Sequence, residues 1–171
     1  MPTGERRRPQ RGFTYLLLLF GLAIGGAALA AVGMQWQQAA RRDREAELLF
    51  RGLQLRDALQ RFHDQTPDGQ PALPQSLDDL LTDRRRPAPR HHLRQAWVDP
   101  FTGQADWVLL RTPDGGITGL HSRSAQPLLR HADLPDGVRV ATQAAPEPRP
   151  PRAMDWHFAI QPRLSRTRPT P

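Results

Sequence analysis

The side chains able to do chemistry in this chain narrow at once, because it has no cysteine and six histidines. Without Cys there is no thiolate ligand, no thiol nucleophile and no disulfide. His91 and His92 are adjacent and project in divergent directions, and His63, His121, His131 and His157 have no partner at a metal-ligand spacing. A metal site is therefore not expected, nor any other cofactor. Ser122 and Ser124 stand near His121 and His131, the residue types that a nucleophile and its base would need. No Gly-x-Ser-x-Gly turn, phosphate-binding loop or dinucleotide fingerprint accompanies them. These serines read as a polar loop and the protein as one that is not an enzyme. In the stretch from Gly119 to Asp136 only Asp133 and Asp136 are acidic, too few for the six to eight oxygens that calcium prefers.

Charge is the next candidate. All 24 basic residues are Arg, and the net charge is +7. Four of the arginines, Arg6, Arg7, Arg8 and Arg11, lie in the first twelve residues against the single acid Glu5, so removing that leader takes away three of the seven net charges. The segment from Arg84 to Arg94 is basic with two histidines. Phosphate contact requires only clustered positive charge, so this segment reads as a solvated basic loop before it reads as a nucleic-acid interface.

The element that must position everything else is N-terminal. Residues 13–34 carry no charged side chain, and a helix of that length spans about 33 Å at ~1.5 Å per residue, close to the hydrocarbon thickness of a bilayer. The arginines that precede it favour a cytoplasmic N-terminus. Three readings compete: a signal peptide cut after Ala28-Leu29-Ala30, an uncleaved anchor, and a leader removed before the apolar segment. The residues after the apolar run separate them, because 35–63 continue with helical periodicity and no Pro, a continuation that a cleaved signal does not need. Gly21 and Gly25 form a Gly-x-x-x-Gly pair that permits close approach of another helix.

The segment Arg11-Gly12-Phe13-Thr14-Tyr15-Leu16-Leu17-Leu18-Leu19-Phe20 resembles the start of type IV prepilins and, most closely, of type II secretion pseudopilins. By that resemblance a prepilin peptidase cuts between Gly12 and Phe13, and the new amine of Phe13 is N-methylated. The family usually has Glu as the fifth mature residue; here that residue is Leu17. Pro74-Gln75-Ser76-Leu77-Asp78-Asp79-Leu80 and Asp99-Pro100-Phe101-Thr102-Gly103 also resemble the pseudopilin pattern, which extends the likeness from Gly12 to about Ser122. The implied fold is α+β, with a long N-terminal helix, transmembrane in its first half, packed on a small antiparallel sheet.

Within residues 35–64, Leu48, Gly52, Leu55, Leu59 and Phe62 share one helix face at alternating spacings of four and three. Ala46, Leu49, Phe50 and Leu53 form a second apolar patch. One patch can pack on the chain's own domain and the other on neighbouring subunits, or both can be one broad core face. Arg41/Glu45, Glu47/Arg51 and Asp57/Arg61 are expected as (i, i+4) ion pairs. The helix should stop near Asp64, before Thr66-Pro67-Asp68-Gly69. A short helix is expected after Ser76 with Asp79 as its capping-box partner, and then a hairpin from Trp107–Arg111 through Pro113-Asp114-Gly115-Gly116 to Ile117–Ser122. Residues 65–143 are thus read as the head. Residues 144–171 read as a Pro/Arg-rich tail with a last strand at 156–160 that can return to the sheet, beyond which the end is expected to be disordered.

The resemblance implies a structural subunit of a type II secretion or related filament, minor or at the tip, in the bacterial inner membrane. Its N-terminus would be cytoplasmic and its C-terminal domain periplasmic. The implied partners are prepilin peptidase, other pseudopilins, an inner-membrane assembly platform and membrane lipid. A DNA-binding or adhesive pilin-like protein, or an uncleaved membrane-anchored periplasmic protein, is the alternative.

Overall fold

A computed structural model describes residues 11–141 and 149–161. Helix α1 runs from Arg11 to Asp64 over 54 residues. No Pro interrupts it, and Ala and Leu, both strong helix formers, dominate its first half. It ends where Pro67 forbids continuation: Gln65 N donates to Arg61 O and Thr66 Oγ1 donates to Phe62 O. Arg61 and His63 lie in the last turn, where positive charge complements the helix dipole.

The chain divides into two compact units at Ala40/Arg41. In the first, residues 13–33 are exposed throughout, which suits a lipid solvent, where a helix satisfies its own backbone. α1 is the one described helix long and apolar enough to cross a membrane. Among the described residues of α1 burial begins at Glu45.

The second unit is an α+β head. The single-turn helix α2 (Asp78–Leu81) is preceded by a reciprocal cap: Ser76 N donates to Asp79 Oδ2, and Asp79 N donates to Ser76 Oγ. Strands β1 (Val108–Arg111), β2 (Ile117–His121), β3 (Val138–Val140) and β4 (Trp156–Ala159) form one antiparallel sheet in the order β1-β2-β4-β3. The β1–β2 hairpin closes with Thr112 N donating to Gly116 O, and Gly115 takes the left-handed conformation at φ 85° that the turn requires. Leu48, Leu55, Leu59 and Phe62 of α1 are buried, and they share the core with Leu120, Trp156 and Phe158 of the sheet. Each such aliphatic or aromatic side chain contributes about 1.5–3 kcal/mol on burial. Gly52 lies under the ring of Phe158, so the one glycine of this face is where a strand side chain reaches the helix backbone.

The strand expected at 156–160 does return to the sheet, and three details go beyond expectation. First, β4 sits between β2 and β3. Just before it, residues 151–154 pair with 124–128: Leu128 N donates to Pro151 O, Ala153 N to Gln126 O and Met154 N to Ser124 O. Proline lacks an N–H but keeps its carbonyl as an acceptor, and composition alone does not show that use. Second, of the three expected ion pairs only Glu47–Arg51 forms, at 2.7 Å. Glu45 is buried and accepts the backbone N–H groups of Leu129 and Arg130, while Arg61 donates to His92 O and Asp57 pairs with Arg56. Tertiary acceptors and donors displace surface pairs worth only a few tenths of a kcal/mol. Third, the second patch is partly covered: Leu49 is buried and Leu53 half-buried, leaving Ala46 and Phe50 exposed, with Phe50 edge-on to Trp97. Residues 162–171, where a disordered end is expected, lie outside the described residues, as does most of the expected linker.

Candidate functional site

Two kinds of surface compete for function, the apolar segment of α1 and the polar clusters of the head. In the apolar segment, the bond between Gly12 and Phe13 falls in the first turn of α1, where backbone N–H groups have no helical partner and the helix frays first. Phe13 is 71% exposed and Leu17 62%. A methyl group at Gly21 or Gly25 would meet nothing within 4 Å, so their small size serves no contact inside this chain. The first turn contains no acid, and Leu17 adds none. This surface can enter lipid or pack against other apolar helices.

In the head, Leu48, Gly52, Leu55, Leu59 and Phe62 are buried in the core and are not available to a partner. Beside the C-terminal end of α1 is a cleft of about 700 Å³ lined in part by Phe62, Pro71, Leu73, Asp79 and Arg85. Two of its charged groups, Asp83 and Arg85, are already committed to each other. Arg85 grips Asp83 through two bonds of 2.9 Å, and His92 Nε2 lies 3.1 Å from Asp83 Oδ2. The Arg85 guanidinium holds the Asp83 carboxyl well below the usual carboxylate range, against the opposing effect of burial. Arg85 Nη2 donates to Phe62 O and Arg86 Nη2 to Gln65 O, so the basic loop caps the carbonyl end of α1. Only the number of arginines after the helix stop hinted at this use.

Asp99 and Ser122 are both fully buried, and Ser122 Oγ donates to Asp99 Oδ2 at 2.6 Å. The neighbouring His121 directs Nδ1 to the Ser122 carbonyl instead of its hydroxyl, so this serine faces a carboxylate rather than a base. Asp99 also accepts Phe101 N, and its carbonyl accepts Gly103 N, with Gly103 at φ 72°. The Asp-Pro-x-x-Gly stretch is thus a turn whose buried Asp99 anchors it to Ser122 at the end of β2. Pro74, in the other short motif, is fully buried and its carbonyl accepts Ile117 N.

No family model matches the chain, nor does any curated protein or solved structure. The chain's own geometry remains. Among the described residues no group of three or more His, Asp or Glu side chains could hold a metal ion. One juxtaposition was not legible from spacing: His121 and His157, 36 positions apart, stack with ring centroids 4.8 Å apart.

Proposed function

We propose that this chain is a pilin-like subunit, a pseudopilin of a type II secretion or related type IV pilus-like filament, without catalytic activity of its own. The observation that carries the reading is the junction at Gly12-Phe13-Thr14. There a leader with four arginines ends on Gly and an uncharged helix begins, continuing without interruption into the helix face that holds a folded head. A secretory signal has no use for that continuity. A filament subunit does, because the helix that leaves the bilayer must carry the head with it.

In this reading residues 13–34 span the inner membrane with the leader in the cytoplasm and the head in the periplasm, in keeping with the arginine asymmetry. An assembly platform lifts the subunit, and the apolar segment exchanges lipid for neighbouring helices at little net hydrophobic cost, with Gly21 and Gly25 allowing close approach. Leu17 removes the buried carboxylate with which a family member would pair the amine of an adjoining subunit. A subunit without it fits a minor or tip position, where no later docking by that pair is needed.

The test is intact-mass measurement after coexpression with a prepilin peptidase. The expected product begins at N-methylated Phe13 and appears only with active peptidase. A product beginning at Ala31 would instead establish a secretory signal, and an unprocessed chain a simple anchor. For the tip position, the expected count in sheared filaments is far below that of the major subunit; a comparable count rejects it.

A further inference from the structure

We infer that His121 and His157 form a two-histidine site for a divalent transition ion, Zn²⁺, Ni²⁺ or Cu²⁺, on the outward face of the sheet. β2 and β4 pair antiparallel with Gly119 opposite Ala159 and Leu120 opposite Phe158, and one further step sets His121 opposite His157. Leu120 and Phe158 are fully buried, so the alternation of a strand turns the adjacent histidines away from the core. Their rings are stacked, with 20° between planes.

The tautomer of His121 suits a metal. His121 Nδ1 lies 2.8 Å from the carbonyl oxygen of Ser122. A carbonyl only accepts, so Nδ1 carries the hydrogen and Nε2 keeps its lone pair. His157 stacks on that ring from the neighbouring strand. Anchoring one ring nitrogen on a backbone carbonyl is how metal-binding histidines are oriented.

The surrounding charges oppose one another. Asp155 favours positive charge at His157. Arg139, opposite His157 in β3, disfavours it, but Arg139 is exposed and its long side chain can keep its head in water. Two nitrogens on one ion at 2.0–2.1 Å sit roughly 3.3 Å apart, closer than the ring centroids. Rotation of the His157 ring about its soft terminal torsion supplies the difference, with His121 held on the Ser122 carbonyl. Imidazole donors select Zn²⁺, Ni²⁺ and Cu²⁺, whereas Ca²⁺ and Mg²⁺ require oxygen ligands.

The full chain in detergent micelles, stripped of metal, is titrated with Zn²⁺ while heat release and thermal unfolding are monitored. Saturable binding and a rise in Tm are expected, since an ion that binds only the folded state stabilises it. His121→Gln and His157→Gln should each weaken binding at least about tenfold and abolish the rise, whereas His63→Gln and His131→Gln leave both intact. Because His157 is inside the sheet, His121→Gln at the end of β2 is the deciding variant, with its fold checked by circular dichroism. Cu²⁺ bound to the wild type should show two nitrogen ligands by electron paramagnetic resonance, reduced to one in His121→Gln. Zn²⁺ binding that survives His121→Gln, no rise in Tm, or an equal rise with Ca²⁺ overturns the site.

Discussion

Arg85→Met lowers the stability of the head by about 3–5 kcal/mol, the cost of removing one partner of a buried ion pair. Arg85 has five N–H donors, and each has an acceptor: Nε bonds Asp83 Oδ1, Nη2 bonds Asp83 Oδ2 and Phe62 O, and Nη1 bonds Thr66 Oγ1 and Pro71 O. The guanidinium carbon also lies 3.4 Å from the centroid of the Phe62 ring. The side chain thus joins the end of α1, the loop after it and the Asp83 strand-like bridge to Arg90 at one point. Methionine fills much of the volume but leaves the Asp83 carboxylate, 5% exposed, with His92 and the Arg85 backbone N–H as its remaining donors. Arg85→Lys should recover only part of the loss, because a point charge cannot make the bidentate contact. Urea unfolding monitored by tryptophan fluorescence measures the change. A loss below about 1 kcal/mol, typical of an exposed pair, would show that the cluster is solvated.

The same pair sets an acid dependence. Asp83 titrates below its unfolded value, so its contribution is present above the ordinary carboxylate range and is lost as pH falls through that range and below. Acid unfolding of Arg85→Met should therefore begin at higher pH than that of the wild type, and Asp83→Asn should flatten the dependence. An unchanged acid profile in both variants would count against the pair.

Gly52→Ala destabilises by about 1–3 kcal/mol, the range for overpacking a core, although in an open helix it would stabilise by up to ~1 kcal/mol. Its sign is reversed by Phe158. A Cβ on Gly52 would lie 2.5 Å from Phe158 Cε1 and Cε2, and that ring is fully buried on β4, with paired strands on both sides. Neither partner can withdraw without moving the sheet from the helix. Gly52→Ala combined with Phe158→Leu should be less destabilised than the two single effects added, a coupling that a double-mutant cycle isolates. Additive losses would place the conflict elsewhere, and a stabilised Gly52→Ala would show that the ring yields.

Much of the architecture was readable because it rests on local rules. The helix stop near Asp64 comes from Pro67, the cap at Ser76 and Asp79 from their spacing, and the hairpin turn from Gly115. The face Leu48-Gly52-Leu55-Leu59-Phe62 was legible from periodicity. That Gly52 is small so that a ring from residue 158 can touch the helix was not, since the contact joins positions 106 apart in sequence.

Sequence alone determined the apolar segment, its arginine-flanked start and the junction at Gly12-Phe13, because hydropathy and charge asymmetry act residue by residue and require no partner. It also determined that the head is α+β. Tertiary structure decided the rest. It placed β4 inside the sheet, preceded by backbone pairing of residues 151–154 with 124–128, and it moved Glu45 and Arg61 from ordinary helix pairs to backbone partners. It closed all five donors of Arg85 around one cluster and stacked His121 on His157. These outcomes depend on which distant groups meet once water is excluded, where an unsatisfied polar group costs more than a surface pair returns, and local sequence carries no record of that meeting.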